Sequence, residues 1–149
     1  MKHNKLANLI VEMIDHVEKL IPVYMNNEED RKKADGGIAI CIIDQEGRVY
    51  GKMFGRDKIL SRERYRIAWM KASQVWITGI KTGEYEKLAF NNEIDEDRFG
   101  IKRPDYIGWE GGQPVNLTDG TILAVGFSGF RSASDLDIVI EAFQRMGLI

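Results

Sequence analysis

A run of six apolar residues, 38–43, constrains the fold of this chain most strongly, because it contains no polar position. Its sequence is Ile-Ala-Ile-Cys-Ile-Ile, and a short, continuous and mainly β-branched run is typical of a strand that is buried on both faces. Asp44 and Gly47 then provide the chemistry of a turn, and residues 48–54 can return beside the strand. The sequence therefore predicts an antiparallel β-hairpin here.

Three further segments carry the spacing of amphipathic helices, with apolar residues recurring at i, i+3, i+4 and i+7. These helices are predicted over residues 6–24, 61–78 and 132–146. Ser61 and Ser132 are the expected N-caps of the second and third, because a serine hydroxyl accepts a hydrogen bond from a free N–H group of the first turn. The second helix is apolar around most of its circumference, so we expect the sheet and a second subunit to cover it.

The remaining segments complete an α+β chain. The polar residues 26–35 are predicted to form a solvated loop or a helix end, and residues 115–117 and 121–127 a second hairpin. Residues 106–109 are a candidate for a further short strand. Two hairpins separated by a helix favour a mainly antiparallel sheet with helices packed on it. The length of 149 residues favours one domain over residues 1–149.

Composition argues against several classes of function. A formal net charge of −2 provides no general basic surface for the phosphates of a nucleic acid. No stretch approaches the roughly 20 apolar residues that span a bilayer, and the N-terminal region lacks the apolar core of a signal peptide. The single cysteine, Cys41, lies in the predicted buried strand, and no Cys or His residues have the spacing of a structural zinc site. We therefore expect a cytoplasmic protein that binds neither nucleic acid nor membrane.

Seven of the fifteen glycines lie within residues 100–129. The Gly-Phe-Ser-Gly segment at 126–129 is similar to a hydrolase nucleophile elbow, but that motif requires glycine two residues after the serine, where this chain has Phe130. No phosphate-binding G-x-x-x-x-G-K motif is present. The glycine pair at 111–112 is expected to serve backbone conformation and close approach. A ligand against its amide groups is the alternative.

The long central helix is strongly basic at its start. Residues 56–71 hold six basic side chains against two acidic ones, whereas residues 84–105 hold seven acidic against four basic. These surfaces are either solvated or paired with each other, within or between subunits. Alternatively, the arginines hold a ligand carboxylate, because a guanidinium meets a carboxylate in a bidentate fork. Haem propionates and a small organic acid both fit this chemistry. His16 is the better of the two histidines for a haem iron, since His3 lies close to the terminus.

Several short motifs occur in the order and spacing of a known family. They are Ile43-Asp44-Gln45-Glu46-Gly47, Lys71-Ala72, Thr82 with Leu88, Gly111-Gly112-Gln113-Pro114 and Gly126-Phe127-Ser128-Gly129, followed by Asp135. Over residues 36–149 the chain resembles the GlcG/HbpS-like family, which includes the C-terminal domain of PduO-type proteins and is known for haem binding or haem degradation. After the second strand, many members have R-x-D-G-A where this chain has Met-Phe-Gly-Arg-Asp at 53–57.

The resemblance implies a profilin-like, three-layer α/β/α fold with a five-stranded antiparallel sheet. It also implies assembly into homodimers or larger homo-oligomers, and it makes haem a candidate cofactor.

Three hypotheses of function follow. In the first, haem or another anionic ligand binds near the long helix and the glycine-rich loop, and His16 is the candidate haem ligand. The residues expected to contact the ligand are Arg56, Arg64, Tyr65, Trp69, Lys71, Gly111, Gly112 and Ser128. In the second, the protein is an enzyme that acts on a small carboxylated metabolite, with Lys71 or Asp135 as the acid–base group. In the third, the protein is an oligomeric scaffold that binds no ligand.

Overall fold

The structure is a computed structural model that describes residues 3–91, 93, 99–101 and 107–149. Within those residues the chain forms five helices and four strands. None of the helices described is both long enough and apolar enough to cross a membrane. The elements in chain order are α1 (His3–Tyr24), α2 (Glu28–Ala34), β1 (Ile38–Ile43), β2 (Val49–Phe54), α3 (Lys58–Thr78), α4 (Thr82–Phe90), β3 (Gly112–Asn116), β4 (Ile122–Ser128) and α5 (Ser132–Arg145).

The four strands form one antiparallel sheet in the order β2-β1-β4-β3. Both predicted hairpins are confirmed, and β1 and β4 pair at the centre of the sheet. Every residue of β1 is buried, because alternate side chains point to opposite faces and each face is covered. Ile38, Ile40 and Ile42 belong to the core shared with α1 and α5. Their neighbours pack against α3. The predicted α+β class is confirmed.

The expected five-stranded sheet is wrong for the residues that the structure describes, because four strands are present. The candidate strand at 106–109 falls partly outside the described residues, and its described part, from Ile107 onward, is not a strand. The side-chain amide of Gln74 instead forms hydrogen bonds with both polar backbone groups of Ile107, the N–H and the carbonyl. The N–H of Ile107 donates to Gln74 Oε1 at 2.8 Å, and Gln74 Nε2 donates to the Ile107 carbonyl at 2.9 Å. Those groups are therefore not available for strand pairing.

The helix starts differ from those predicted. Asp57, rather than Ser61, caps α3, because its carboxylate accepts from the N–H of Leu60 at 2.9 Å and starts the helix one turn earlier. Ser132 is the first helical residue of α5 and not its cap. The polar residues 26–35 contain α2, in which Asp30 is buried, so this segment is more than a solvated loop.

Small residues allow α3 to lie close to the sheet. A Cβ atom added to Gly126 in β4 would lie 2.1 Å from the Ala68 carbonyl oxygen and 2.8 Å from the Ala72 nitrogen. Both alanines are fully buried. This close approach brings the side chains of α3 to the end of β4, where the chain turns toward α5.

Candidate functional site

A cavity of about 240 Å³ lies where α3, the end of β4 and the start of α5 meet. Its lining combines three basic and two acidic side chains with two serines and a few apolar groups. The lining residues are Lys33, Arg64, Ile67, Lys71, Trp109, Glu110, Ser128, Gly129, Phe130, Ser132 and Asp135.

The base of the cavity holds a buried pair of opposite charges, Lys71 from α3 and Asp135 from the first turn of α5. Their side chains are 3% and 5% exposed, and Lys71 Nζ lies 3.5 Å from Asp135 Oδ2. Lys71 Nζ also donates to the carbonyl of Phe127 at 2.9 Å. Asp135 Oδ1 accepts from the N–H of Phe130 at 2.8 Å. The second carboxylate oxygen therefore remains directed at the lysine.

Burial moves the pKa values of this pair toward each other. Desolvation raises the pKa of Asp135 to about 7, although the charge of Lys71 and the Phe130 hydrogen bond oppose the rise. Desolvation lowers the pKa of Lys71, and the charges of Lys33 and Arg64 lower it further, against the attraction of Asp135. Moving a proton from Nζ to the carboxylate therefore costs less here than it would in water.

The raised pKa of Asp135 predicts a stability that falls with rising pH. Between 3.8 and about 7, the folded protein keeps a proton on Asp135 that the unfolded chain has lost. Because the folded state binds more protons in that window, its free energy of unfolding decreases as pH rises. We expect urea denaturation to show this decrease from about pH 4 to about pH 7 in the wild type and a weaker one in Asp135→Asn. Equal slopes in the two proteins would contradict the prediction.

The rim of the cavity is basic on balance, since Lys33 and Arg64 line it against one exposed carboxylate, Glu110. Arg64 Nη2 donates to the backbone carbonyl of Lys33 at 2.6 Å, which fixes the guanidinium between α3 and the end of α2. Its Nε is buried and has no hydrogen-bond partner in the described part of the chain. A buried donor without a partner is costly, and the guanidinium that carries it lines the cavity.

A buried carboxylate holds α2 in the position that places Lys33 on the rim. Asp30 Oδ1 accepts from the backbone N–H and from Nε of Arg131, both at 3.0 Å, and Oδ2 accepts from the Ser134 hydroxyl at 2.7 Å. Although burial alone would raise the pKa of Asp30, the hydrogen bonds from Arg131 and Ser134 lower it below its ordinary value. This cluster joins α2 to the N-terminal end of α5.

The segment 107–112 closes the other side and is held by side chains of α3 and α4. Besides the Gln74 contacts with Ile107, the Thr82 hydroxyl donates to the Trp109 carbonyl at 2.5 Å. Gly111 follows with a φ of +122°, and a Cβ atom there would lie 2.6 Å from both Lys71 Nζ and the Phe127 carbonyl oxygen. Only glycine leaves room at this point for the lysine amine.

Some of the residues predicted to contact a ligand lie at the cavity. Arg64, Lys71 and Ser128 line the cavity. Gly111 packs against the end of the Lys71 side chain, and Gly112 packs against the Cβ of Lys71.

Four other predicted residues lie elsewhere. Arg56 is exposed in the turn before α3. Tyr65 lies over the sheet with its hydroxyl 3.8 Å from Cys41 Sγ, and Trp69 is half-exposed on a different side of α3, beside Arg66 and Met70. His16 lies on α1, which packs with α5 on the opposite face of the sheet. None of the four lines the cavity.

Helical geometry explains which residues of α3 reach the cavity. Arg64, Ile67 and Lys71 are three and seven positions apart and therefore share one face, whereas a residue one position along turns about 100° away. Sequence reasoning treated the basic and aromatic residues as one group and did not separate these faces. It also missed Lys33, because nothing in its polar segment indicated a contact with α3.

These features define a small three-layer α+β protein with a charged cavity at one end of an antiparallel sheet. The chain belongs to the HbpS-like family, described as haem degrading protein HbpS-like, whose sequence profile matches residues 16–144. The resemblance seen in the sequence motifs is thereby confirmed. No curated protein matches the sequence significantly.

Solved structures share the fold at low sequence identity. The crystal structure of a PduOC–haem complex matches with a TM-score of 0.60 and 17% identity, over 100% of this chain and 96% of that one. The Klebsiella pneumoniae protein ORFY matches with a TM-score of 0.57 and 17% identity, over 94% of this chain and 88% of that one. At this identity the matches establish the shared fold alone.

The cavity does not fit haem. Its volume of about 240 Å³ is below the roughly 300–1,000 Å³ of pockets for drug-sized ligands. In the described part of the chain, its lining also contains none of the His, Cys, Met or Tyr side chains that bind haem iron. Among the described residues, no group of three or more His, Cys, Asp and Glu is arranged to hold a metal ion. A small anion is the better match to this volume and charge.

Proposed function

We propose that this protein binds a small organic anion with a carboxylate group in the cavity between α3 and α5. The observation that carries the proposal is Arg64, which lines the cavity together with Lys33 and whose guanidinium is held by the Lys33 carbonyl. A carboxylate that enters the cavity can accept hydrogen bonds from this guanidinium, and the planar, charge-assisted pairing both strengthens binding and fixes the orientation of the ligand.

We expect different lining residues to contact different parts of the ligand. Arg64 and Lys33 attract the carboxylate at the rim, where Lys33 adds a point charge. Ser128 and Ser132 offer hydroxyl groups to other polar atoms of the ligand. Lys71, with Asp135 behind it, faces the part of the ligand that reaches the base. The small volume restricts the ligand to a few carbon atoms beyond the carboxylate.

Isothermal calorimetry with pyruvate, lactate and the neutral lactamide tests this proposal. We expect the two acids to bind saturably and lactamide not to bind. Arg64→Gln should weaken binding of the acids about 10- to 100-fold, because a hydrogen bond to a charged group contributes about 1.5–3 kcal/mol. Arg56→Gln is the matched control, since this exposed arginine precedes the same helix but does not line the cavity. Equal weakening in both variants, or no saturable binding of either acid, would contradict the proposal.

Haem binding is a second candidate, favoured by the family to which the chain belongs. A wider depression of about 800 Å³ lies at the start of α3, and Arg62, Tyr65 and Arg66 line it. Tyrosine is a known haem ligand and arginine suits a propionate. A haemin titration with His16→Ala and Tyr65→Phe separates the two candidate ligands. A Soret shift that is lost in one variant identifies the ligand, and the absence of a saturable shift removes haem from consideration.

Self-association stays a prediction. The side of α3 that carries Trp69, Trp76 and Ile77 leaves these side chains 45%, 48% and 46% exposed. That face is suited to an interface between two copies, as the sequence led us to expect.

A further inference from the structure

We propose that Lys71 forms a reversible imine with the carbonyl carbon of a 2-oxo acid held in the cavity, and that Asp135 transfers the protons of this step. The inference rests on the proposed function, since the carboxylate of such a ligand would be held by Arg64 and Lys33. It adds a covalent step, a substrate class and a role for the buried pair.

The position of the Lys71 amine supports imine formation at this residue. Lys71 lines the cavity, and its Nζ makes one short contact, to the Phe127 carbonyl at 2.9 Å, and one long one, to Asp135 at 3.5 Å. A buried ion pair that served stability alone would be expected to close to a shorter distance and to satisfy the ammonium fully. Gly111 packs closely against Nζ and adds no side chain there, because a Cβ atom would lie 2.6 Å from the amine.

The electrostatic surroundings favour an amine that can act as a nucleophile. Burial and the neighbouring charges of Lys33 and Arg64 lower the pKa of Lys71. Desolvation and nearby cations are the two means by which proteins activate a lysine for imine formation. The same two cations attract the ligand carboxylate, so one set of charges serves both anchoring and activation.

A 2-oxo acid matches the spacing of these groups. Its carbonyl carbon is bonded directly to its carboxylate, so the anchoring cations and the attacking amine must lie close together. Arg64, Lys33 and Lys71 line one cavity of about 240 Å³ and satisfy this requirement. Ser128 and Ser132 line the same space and offer hydroxyl groups to the carbonyl oxygen.

Asp135 provides a balanced route for the protons. The ammonium of Lys71 gives one proton to Asp135 Oδ2, and the free amine forms a C–N bond to the carbonyl carbon while the π electrons move to oxygen. Asp135 returns its proton to that oxygen, and a proton from nitrogen follows by the same route. The C–O bond then breaks, and water leaves with the oxygen as the nitrogen lone pair forms the C=N bond. The product is a protonated imine, and no oxidant or reductant is consumed.

Two features of Asp135 suit this exchange. Its Oδ1 is fixed by the N–H of Phe130 at 2.8 Å, so Oδ2 stays directed at the amine. Its pKa is raised to about 7, mainly by burial, so the carboxyl group gives and accepts a proton near neutral pH.

Reductive trapping tests the inference. The wild-type protein is incubated with pyruvate and sodium cyanoborohydride, digested, and mapped by mass spectrometry. We expect one modified site, Lys71, with a mass increase equal to pyruvic acid less one oxygen atom. Lactate, which has the carboxylate but no carbonyl, should give no adduct. Lys71→Arg should abolish the adduct, whereas Lys58→Arg, at an exposed position in the first turn of α3, should leave it unchanged.

The rate of trapping tests the role of Asp135. Asp135→Asn should slow adduct formation about 100-fold, the usual scale of general acid–base catalysis, with a smaller change in the calorimetric affinity for lactate. Equal rates in Asp135→Asn and the wild type would overturn the proton-transfer role. Saturable pyruvate binding without an adduct at Lys71 would overturn the imine and leave the proposed function intact. If neither acid binds, the proposed function itself fails. Because the adduct is mapped on the wild type, the test of the imine does not depend on the folding of a variant, and the affinity of Asp135→Asn for lactate shows whether that variant keeps its cavity.

Discussion

Replacing Gly111 by alanine is expected to lower the free energy of unfolding by about 3 kcal/mol or more and to abolish anion binding in the cavity. A φ of +122° is strained for any residue with a side chain, at a cost of about 1–3 kcal/mol. The new methyl group would also lie 2.6 Å from both Lys71 Nζ and the Phe127 carbonyl oxygen, and Asp135 Cβ follows at 3.2 Å. Chemical denaturation and calorimetry with lactate measure the two effects.

Gly120→Ala is the matched control for this prediction. Gly120 has a φ of +90°, but a Cβ atom added there meets no atom within 4 Å. This control therefore carries the backbone strain without the crowding, and we expect it to cost about 1 kcal/mol and to leave binding unchanged. If Gly111→Ala were no more destabilising than Gly120→Ala, the close packing of the segment 107–112 over the lysine would be wrong.

Removing one member of the buried pair is the second change with a large expected effect. Lys71→Met should lower the free energy of unfolding by about 3–5 kcal/mol at pH 8, because it leaves a buried carboxylate without its cation. The cost should be smaller at pH 5. Without Lys71 the pKa of Asp135 loses the interaction that lowers it, so the carboxyl group is neutral in the folded state at that pH. The double variant Lys71→Met/Asp135→Asn should be more stable than Lys71→Met at pH 8, since no uncompensated charge remains.

An exposed ion pair provides the control for the stability effect of Lys71→Met. Lys52 and Glu18 lie 2.7 Å apart with side chains that are 43% and 46% exposed, so Lys52→Met should cost less than about 1 kcal/mol and vary little with pH. Thermal or urea denaturation at the two pH values measures all of these variants. A Lys71→Met variant that is as stable as Lys52→Met at pH 8 would show that the buried pair is not ionised in the wild type.

Local patterns predicted most of the elements but not the groups that assemble the cavity. The continuous apolar run of β1 and the period of 3.6 in the helices depend on near neighbours, and they predicted the first hairpin and the long helices. Lys33, in contrast, reaches the rim only because Asp30 binds Arg131 across the chain. The position of Gln74 beside Ile107 was likewise not visible in the sequence, and it removes the expected strand there.

Within α3, two of the residues predicted to contact a ligand line the cavity and two do not. Lys71 and Arg64 were predicted, and both line the cavity. Tyr65 and Trp69 were predicted as the apolar wall of the same site, but the helix turns them to other sides. Trp109 lines the cavity instead. Because the segment 107–112 has no regular period, only the folded chain shows where its side chains lie.

The contact between Asp30 and Arg131 has a consequence for the order of events during folding. The two residues are 101 positions apart, and closing so long a loop is slow compared with forming a hairpin or a helix. The central pairing of β1 with β4 joins residues almost as far apart, since Ala39 pairs with Ser128, so the sheet and the basic rim are both completed only when the two ends of the chain meet. A partly folded chain that contains only the hairpin of β1 and β2 and the helix α3 would have Lys71 without the rest of its cavity. Binding of an anion would consequently report the completion of folding, and it would favour the docked arrangement over all earlier ones.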